Sequence, residues 1–153
     1  MIIVLDTFPA SSVCKRPGKS QLTVSDHCRQ WIEDCEAAGH QVLVPAISYY
    51  EVLRELEQRQ ATSQIYRLKA FCLQPKRFIP LITNHLETAA QLWGQSRRAG
   101  LQTADLHALD GDVILAAQVL SLGIAVPELI VATSNPAHLS RYVPADLWTN
   151  IQP

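Results

Sequence analysis

The sequence predicts an α/β domain built on a largely parallel sheet. Three short runs predict it. Ile2-Ile3-Val4-Leu5, Val42-Leu43-Val44 and Leu129-Ile130-Val131-Ala132-Thr133 are continuously apolar and rich in β-branched residues, the pattern of strands covered on both faces. Between them lie stretches whose apolar residues recur at helical spacing, and strands alternating with helices give a parallel sheet with right-handed crossovers. With 153 residues, 48% hydrophobic and 18% charged, the chain fits one domain with a sizeable core.

The elements follow in order. After the first strand, Pro9, Ser11, Ser12, Pro17 and Gly18 read as a loop. Leu22, Val24, Cys28, Trp31, Ile32 and Cys35 then recur as one face of a helix, and Gly39 stands where a C′ glycine belongs. Pro45 closes the second strand. Ser48 is placed to cap the next helix, with Glu51 as its capping-box partner, and that helix reads to about Arg59. Another helix is expected from Thr62 to Leu73, a short strand over Phe78 to Ile82, and an amphipathic helix over 84–99 that ends before Gly100. Asp110 to Leu122 reads as a tightly packed helix stopped by Gly123, and Leu147 to Ile151 as a last strand.

Several function classes fall away. A net charge of −1 lacks the Lys and Arg excess of a strongly basic nucleic-acid binder, though bound cations or local patches can still hold phosphates. No apolar run approaches the roughly 18 residues of a membrane span. The N-terminus, with no basic segment and Asp6 after four apolar residues, opens a strand rather than a signal peptide, which places the protein in the cytoplasm. The four cysteines form no C-x-x-C pair, and Cys28 and Cys35 lie about 10 Å apart along a helix, so reduced, buried thiols are expected.

In parallel sheets, ligands bind beyond the carboxyl ends of the strands. Acids gather there: Asp6 ends the first strand, Glu51 lies early in the helix after the second, and Asp110 and Asp112 open the helix that leads to the later strand. Thr133-Ser134-Asn135 follows that strand directly. Each has a structural reading as well, Glu51 as a capping partner and Asp110 or Asp112 as acids at a positive helix end. Asp6 is the hardest to explain structurally, because a carboxylate ending a central strand is costly unless paired, hydrated or metal-bound. Two carboxylates about 4 Å apart repel by roughly 4 kcal/mol at an effective dielectric near 20, so a cluster of them calls for a cation. Hard oxygen donors suit Mg²⁺ or Mn²⁺.

At these positions the sequence resembles the PIN-domain nucleases, in particular the small toxins of VapBC-type toxin–antitoxin modules. The matching segments are Ile3-Val4-Leu5-Asp6-Thr7, Val44-Pro45-Ala46-Ile47-Ser48-Tyr49-Tyr50-Glu51, Asp112-Val113-Ile114-Leu115-Ala116-Ala117 (the D-x-x-I-A-A helix start) and Thr133-Ser134-Asn135-Pro136-Ala137-His138-Leu139 (the T-x-N-x-x-H-F segment). Their order and spacing hold over nearly the whole chain. The resemblance implies one PIN-like α/β/α domain over residues 1–153 and a metal-dependent endoribonuclease, the toxin of a toxin–antitoxin pair. Its catalytic and metal-holding acids would be Asp6, Glu51 and Asp112, with Asn135 at the fourth, more variable position and Asp110 as an extra acid. One or two Mg²⁺ or Mn²⁺ ions would be held directly or through waters.

Thr7 and Thr133 are placed to hydrogen-bond carboxylates or water, or to be ordinary strand-end threonines. Lys15, Arg16 and Lys19 in the first loop and Arg97-Arg98 at a helix end are the candidates for the RNA backbone, against a reading as solvated surface. Tyr49, Tyr50, Val52, Leu53 and Leu56, with Ile65, Tyr66 and Leu68, give two neighbouring helices more apolar surface than one face needs. The surplus suits a homodimer or, as the resemblance suggests, an antitoxin helix. Phe8, where the family often has Asn or Ser, and Asn135, an amide rather than an acid, sustain the alternative of a catalytically silent PIN-like module that binds RNA or a partner protein.

Three decoys drop out. Pro17-Gly18-Lys19-Ser20 lacks the earlier glycine of a P-loop, because Val13 stands there. Asp6-Thr7-Phe8 lacks the second acid of an aspartyl phosphatase, and His85-Leu86-Glu87 is followed by no P-C-x-x-C. His138 reads as a packing or capping residue.

Overall fold

The structure is a computed structural model and describes residues 1–16, 21–101 and 110–153. Lys19, one of the RNA-backbone candidates, lies outside the described residues. Five parallel strands form the sheet: β1 (Ile2–Leu5), β2 (Gln41–Pro45), β3 (Phe78–Ile79), β4 (Leu129–Thr133) and β5 (Ala145–Leu147), in the order β3-β2-β1-β4-β5. The helices are α1 (Thr7–Ser12), α2 (Val24–Ala37), α3 (Ala46–Gln58), α4 (Thr62–Cys72), α5 (Thr83–Arg98), α6 (Gly111–Leu120) and the single turn α7 (Pro136–Leu139).

Each central strand feeds two cores, as its unbroken apolar run requires. Ile3 and Leu5 of β1, Val42 and Val44 of β2 and Ala132 of β4 point into a core shared with Cys28, Trp31 and Ile32 of α2, Val52 and Leu56 of α3, and Leu68 of α4. Val4, Leu43, Leu129 and Val131 point the other way, against Ala89 of α5, Val113 to Ala117 of α6, and Leu139 and Val143. The two-residue side-chain period of a strand thus produces three layers, α/β/α. The four cysteines are free and buried, and burial pushes the Cys28, Cys35 and Cys72 thiols up to about 11.

The structure corrects five expectations. The segment after β1 is the helix α1, not a loop. Pro9 falls in its first turn, where a backbone N–H has no helical partner to lose, and Asp6 is its N-cap, accepting from the Thr7 N–H at 2.7 Å. Ser48 caps nothing. Pro45 is the N-cap of α3, and the buried Ser48 hydroxyl has no hydrogen-bond partner. The third strand is shorter than expected, and the last one begins earlier, so 148–150 form a 3₁₀ turn instead. Leu22 and Val24 are exposed, because the face of α2 that packs begins at Ser25 and runs through Cys28, Trp31, Ile32 and Cys35. No helix among the described residues is long and apolar enough to cross a membrane.

Candidate functional site

The chain leaves β1 to build β2 and β3 on one side, then returns to place β4 and β5 on the other. β1 and β4 are therefore neighbours at the point where the direction of strand addition reverses, and a crevice opens beyond their carboxyl ends. The ladder runs to its last rung there, the Asp6 N–H donating to the Ala132 carbonyl at 3.0 Å. Asp6 and Thr133, the residues that follow this rung, stand side by side, and the Thr133 hydroxyl donates to Asp6 Oδ2 at 2.6 Å.

Thr7 joins the next acid. Its N–H holds Asp6 Oδ1 at 2.7 Å while its hydroxyl donates to Glu51 Oε2. One threonine thus spans the β1 edge and the helix that follows β2. Glu51 reaches this position because Ser48 does not engage it as a cap. It also lies against the start of α6, where a Cβ on Gly111 would stand 2.6 Å from Glu51 Oε1. Asp112, the next residue, sits in the first turn of α6, with Asp110 buried at the N-cap.

The electrostatics bind these acids into one group. Burial pushes the Asp112 carboxyl above its ordinary range, the charges of Asp6 and Asp110 push the same way, His138 pulls it down, and Glu51 adds a further upward push. His138 Nδ1 lies 3.4 Å from Asp112 Oδ2, so this histidine is an acid partner rather than packing or a cap. The sequence offered one signal for it, its place three residues beyond Asn135 in the turn that follows β4. Among the described residues no three Asp, Glu, His or Cys side chains converge closely enough to enclose an ion by themselves.

The remaining candidates are dispersed. Asn135 is exposed at the start of α7, its N–H bound to the Thr133 hydroxyl at 3.0 Å. The Lys15 ammonium is turned to Ser25 Oγ at 2.9 Å, and the Arg97 guanidinium lies over the Trp93 ring at 4.4 Å. Arg16 and Arg98 are exposed, and Phe8 packs against the α2 side of the sheet.

No family model matches the sequence, and no curated protein matches it. Solved structures do. VapBC2 from Rickettsia felis, bound to a DNA fragment from its promoter, contains a chain that superposes with a TM-score of 0.68 at 15% identity, over 97% of this chain and 99% of that one. The DNA-bound VapBC of Salmonella typhimurium gives 0.68 at 16% identity, over 97% and 98%. VapBC-1 from nontypeable Haemophilus influenzae gives 0.63 at 17%, over 97% and 99%. The class defined by the sheet order and its flanking helices is the PIN-like α/β/α fold. Within that class, the chain shares its fold, end to end, with chains of VapBC toxin–antitoxin complexes.

Proposed function

We propose that this protein is a divalent-metal-dependent endoribonuclease that acts in the cytoplasm as the toxin of a toxin–antitoxin pair, with Asp6, Glu51 and Asp112 as its catalytic acids. The observation that carries the reading is the Thr7 bridge, which draws Asp6 and Glu51 together at the switch point of the sheet, with Asp112 in the first turn of α6. The oxygen-only donor set fits one or two Mg²⁺ or Mn²⁺ ions, and a cation answers the mutual repulsion that burial has forced on these acids. Mg²⁺ keeps several waters and needs only one or two carboxylates from the protein. Such an ion, when bound, supplies Lewis-acid polarisation of the phosphodiester and a lowered pKa for water.

The chain's own groups supply the order. Thr133 and the Thr7 N–H fix both oxygens of Asp6, leaving outward lone pairs for a ligand. The Thr7 hydroxyl does the same for Glu51, and His138 steadies Asp112. Exposed Asn135 is available as an outer contributor, and exposed Arg16 and Arg98 as contacts for the RNA backbone, while Asp110 is buried at the N-cap of α6. The antitoxin, or a second copy of the chain, finds apolar surface at a groove of about 490 Å³ lined by Tyr49, Cys72 and the exposed Leu73 and Phe78, with Tyr50 and Tyr66 exposed elsewhere on α3 and α4.

Cleavage of a mixed RNA pool with Mn²⁺ or Mg²⁺ tests the reading. Wild type is expected to cut, EDTA to stop it, and Asp6→Asn to reduce the rate by at least about a hundredfold, the scale on which loss of a group that stabilises transition-state charge is felt. No cutting by metal-loaded, partner-free protein would favour the silent binding module instead.

A further inference from the structure

α3 and α6 carry Glu51 and Asp112, and they touch through two α6 residues that are not acids. Gly111 and Gln118 are seven apart, on one stripe of the helix. At Gly111 the space of a missing side chain is filled from α3: a Cβ would meet Glu51 Oε1 at 2.6 Å, Glu51 Cδ at 3.5 Å and Ile47 Cγ1 at 3.8 Å. Two turns on, Gln118 is fully buried and uses both ends of its amide. Its Oε1 accepts from the Ile47 N–H at 3.2 Å, and its Nε2 donates to the Ile79 carbonyl at 2.8 Å and the Pro80 carbonyl at 3.2 Å.

Ile47 is the second residue of a helix with no side-chain cap of its own, so this amide serves as a cap delivered from α6. Glu51 lies one turn after Ile47, on the same face of α3. The grip on Ile47 sets the height and rotation of α3, and the glycine sets how closely the Glu51 carboxylate approaches the backbone next to Asp112. We infer that Gly111 and Gln118 are positioning residues that fix the separation of Glu51 from Asp112, and through it the affinity of the acid edge for a divalent cation. This rests on the reading of those acids as metal-holding.

Gly111→Ala separates position from stability. The glycine stands in the first turn of a helix without positive φ, where alanine is the better helix former, and the atom it would strike is the end of a flexible side chain. The fold therefore accommodates the methyl, and the carboxylate does the moving.

The test is calorimetric titration of the full chain with Mn²⁺ alone, alongside thermal melts. Gly111→Ala is expected to raise the Kd for Mn²⁺ at least about tenfold, the scale seen when groups that orient ligands are disturbed, with a melting temperature at or above wild type. In a Glu51→Asp background, whose shorter side chain clears the new methyl, the same change should cost no more than about twofold, because the two positions act as one unit. Gln118→Met, which keeps volume and loses all three hydrogen bonds, should also weaken Mn²⁺ binding while the melt still shows a cooperative fold. Wild-type affinity in folded Gly111→Ala, or an equal loss in both Glu51 backgrounds, overturns the positioning roles alone. A wild-type chain that takes up no Mn²⁺ overturns the metal reading and the inference together.

Discussion

Helices α2 and α3 both begin with orphan backbone N–H groups, four in α2 and three in α3, whose N-cap is a proline, and they satisfy them in opposite ways. α2 caps itself: Thr23 accepts from the Asp26 N–H at 3.2 Å, and Asp26 returns the bond to the Thr23 N–H at 2.8 Å. All of that lies within four residues of sequence. α3 begins on a proline with no acceptor side chain, and its Ile47 N–H is met by Gln118, 71 residues away. The difference follows from what each helix carries. An acid that closes a capping box is committed to its own helix start, and Asp26 is so committed while also pairing with Arg29 at 3.3 Å. Glu51 is left free for Thr7 and the acid edge, so the start of α3 has to be held from outside.

Three substitutions probe that contrast, beginning with the largest effect. Gln118→Met leaves the Ile47 N–H and two carbonyls without their buried partner, and should lower stability by about 2–4 kcal/mol in urea unfolding. Thr23→Ala removes one self-contained cap and should cost about 1 kcal/mol while leaving RNA cleavage and Mn²⁺ affinity at wild-type values. Ser48→Ala should cost close to nothing, or stabilise slightly, because it removes a buried hydroxyl that has no partner. A loss of about 1 kcal/mol for Ser48→Ala would show that α3 is capped locally after all, and would erase the contrast with α2.

The same contrast explains what could be read from the sequence. β1, β2 and β4 were legible because a strand buried on both faces writes its apolar run into consecutive residues, and Leu129–Thr133 matches the expected span residue for residue. The sequence also put Asp6 at a strand end and Asp112 in a first helical turn, where the structure has them, and Thr7 bridges Asp6 to Glu51. Local pattern misled where two uses of a motif compete. Ser48 and Glu51 have capping-box spacing, yet α3 begins two residues before Ser48, so Ser48 lies inside the helix and Glu51 accepts from Thr7, 44 residues away. Pro9 and its serines look like loop, yet a proline in the first turn costs a helix nothing. Gly111 and Gln118 carried no local signal of their roles, and His138 carried only its place after Asn135, since each acts on a residue that only the tertiary fold brings near.

The Asp6–Thr133 hydrogen bond spans 127 residues of chain. β1 can pair with β2 early but waits for β4 to gain its other neighbour, and parallel pairing over such a separation is among the slower events in folding. At roughly 5–20 residues per second of synthesis, the first acid emerges from the ribosome many seconds before the strand that orients it. A nascent or prematurely terminated chain therefore carries Asp6 and Glu51 but no assembled edge. The edge these acids share cannot assemble until β4 has been made, however early Asp6 and Glu51 are in place.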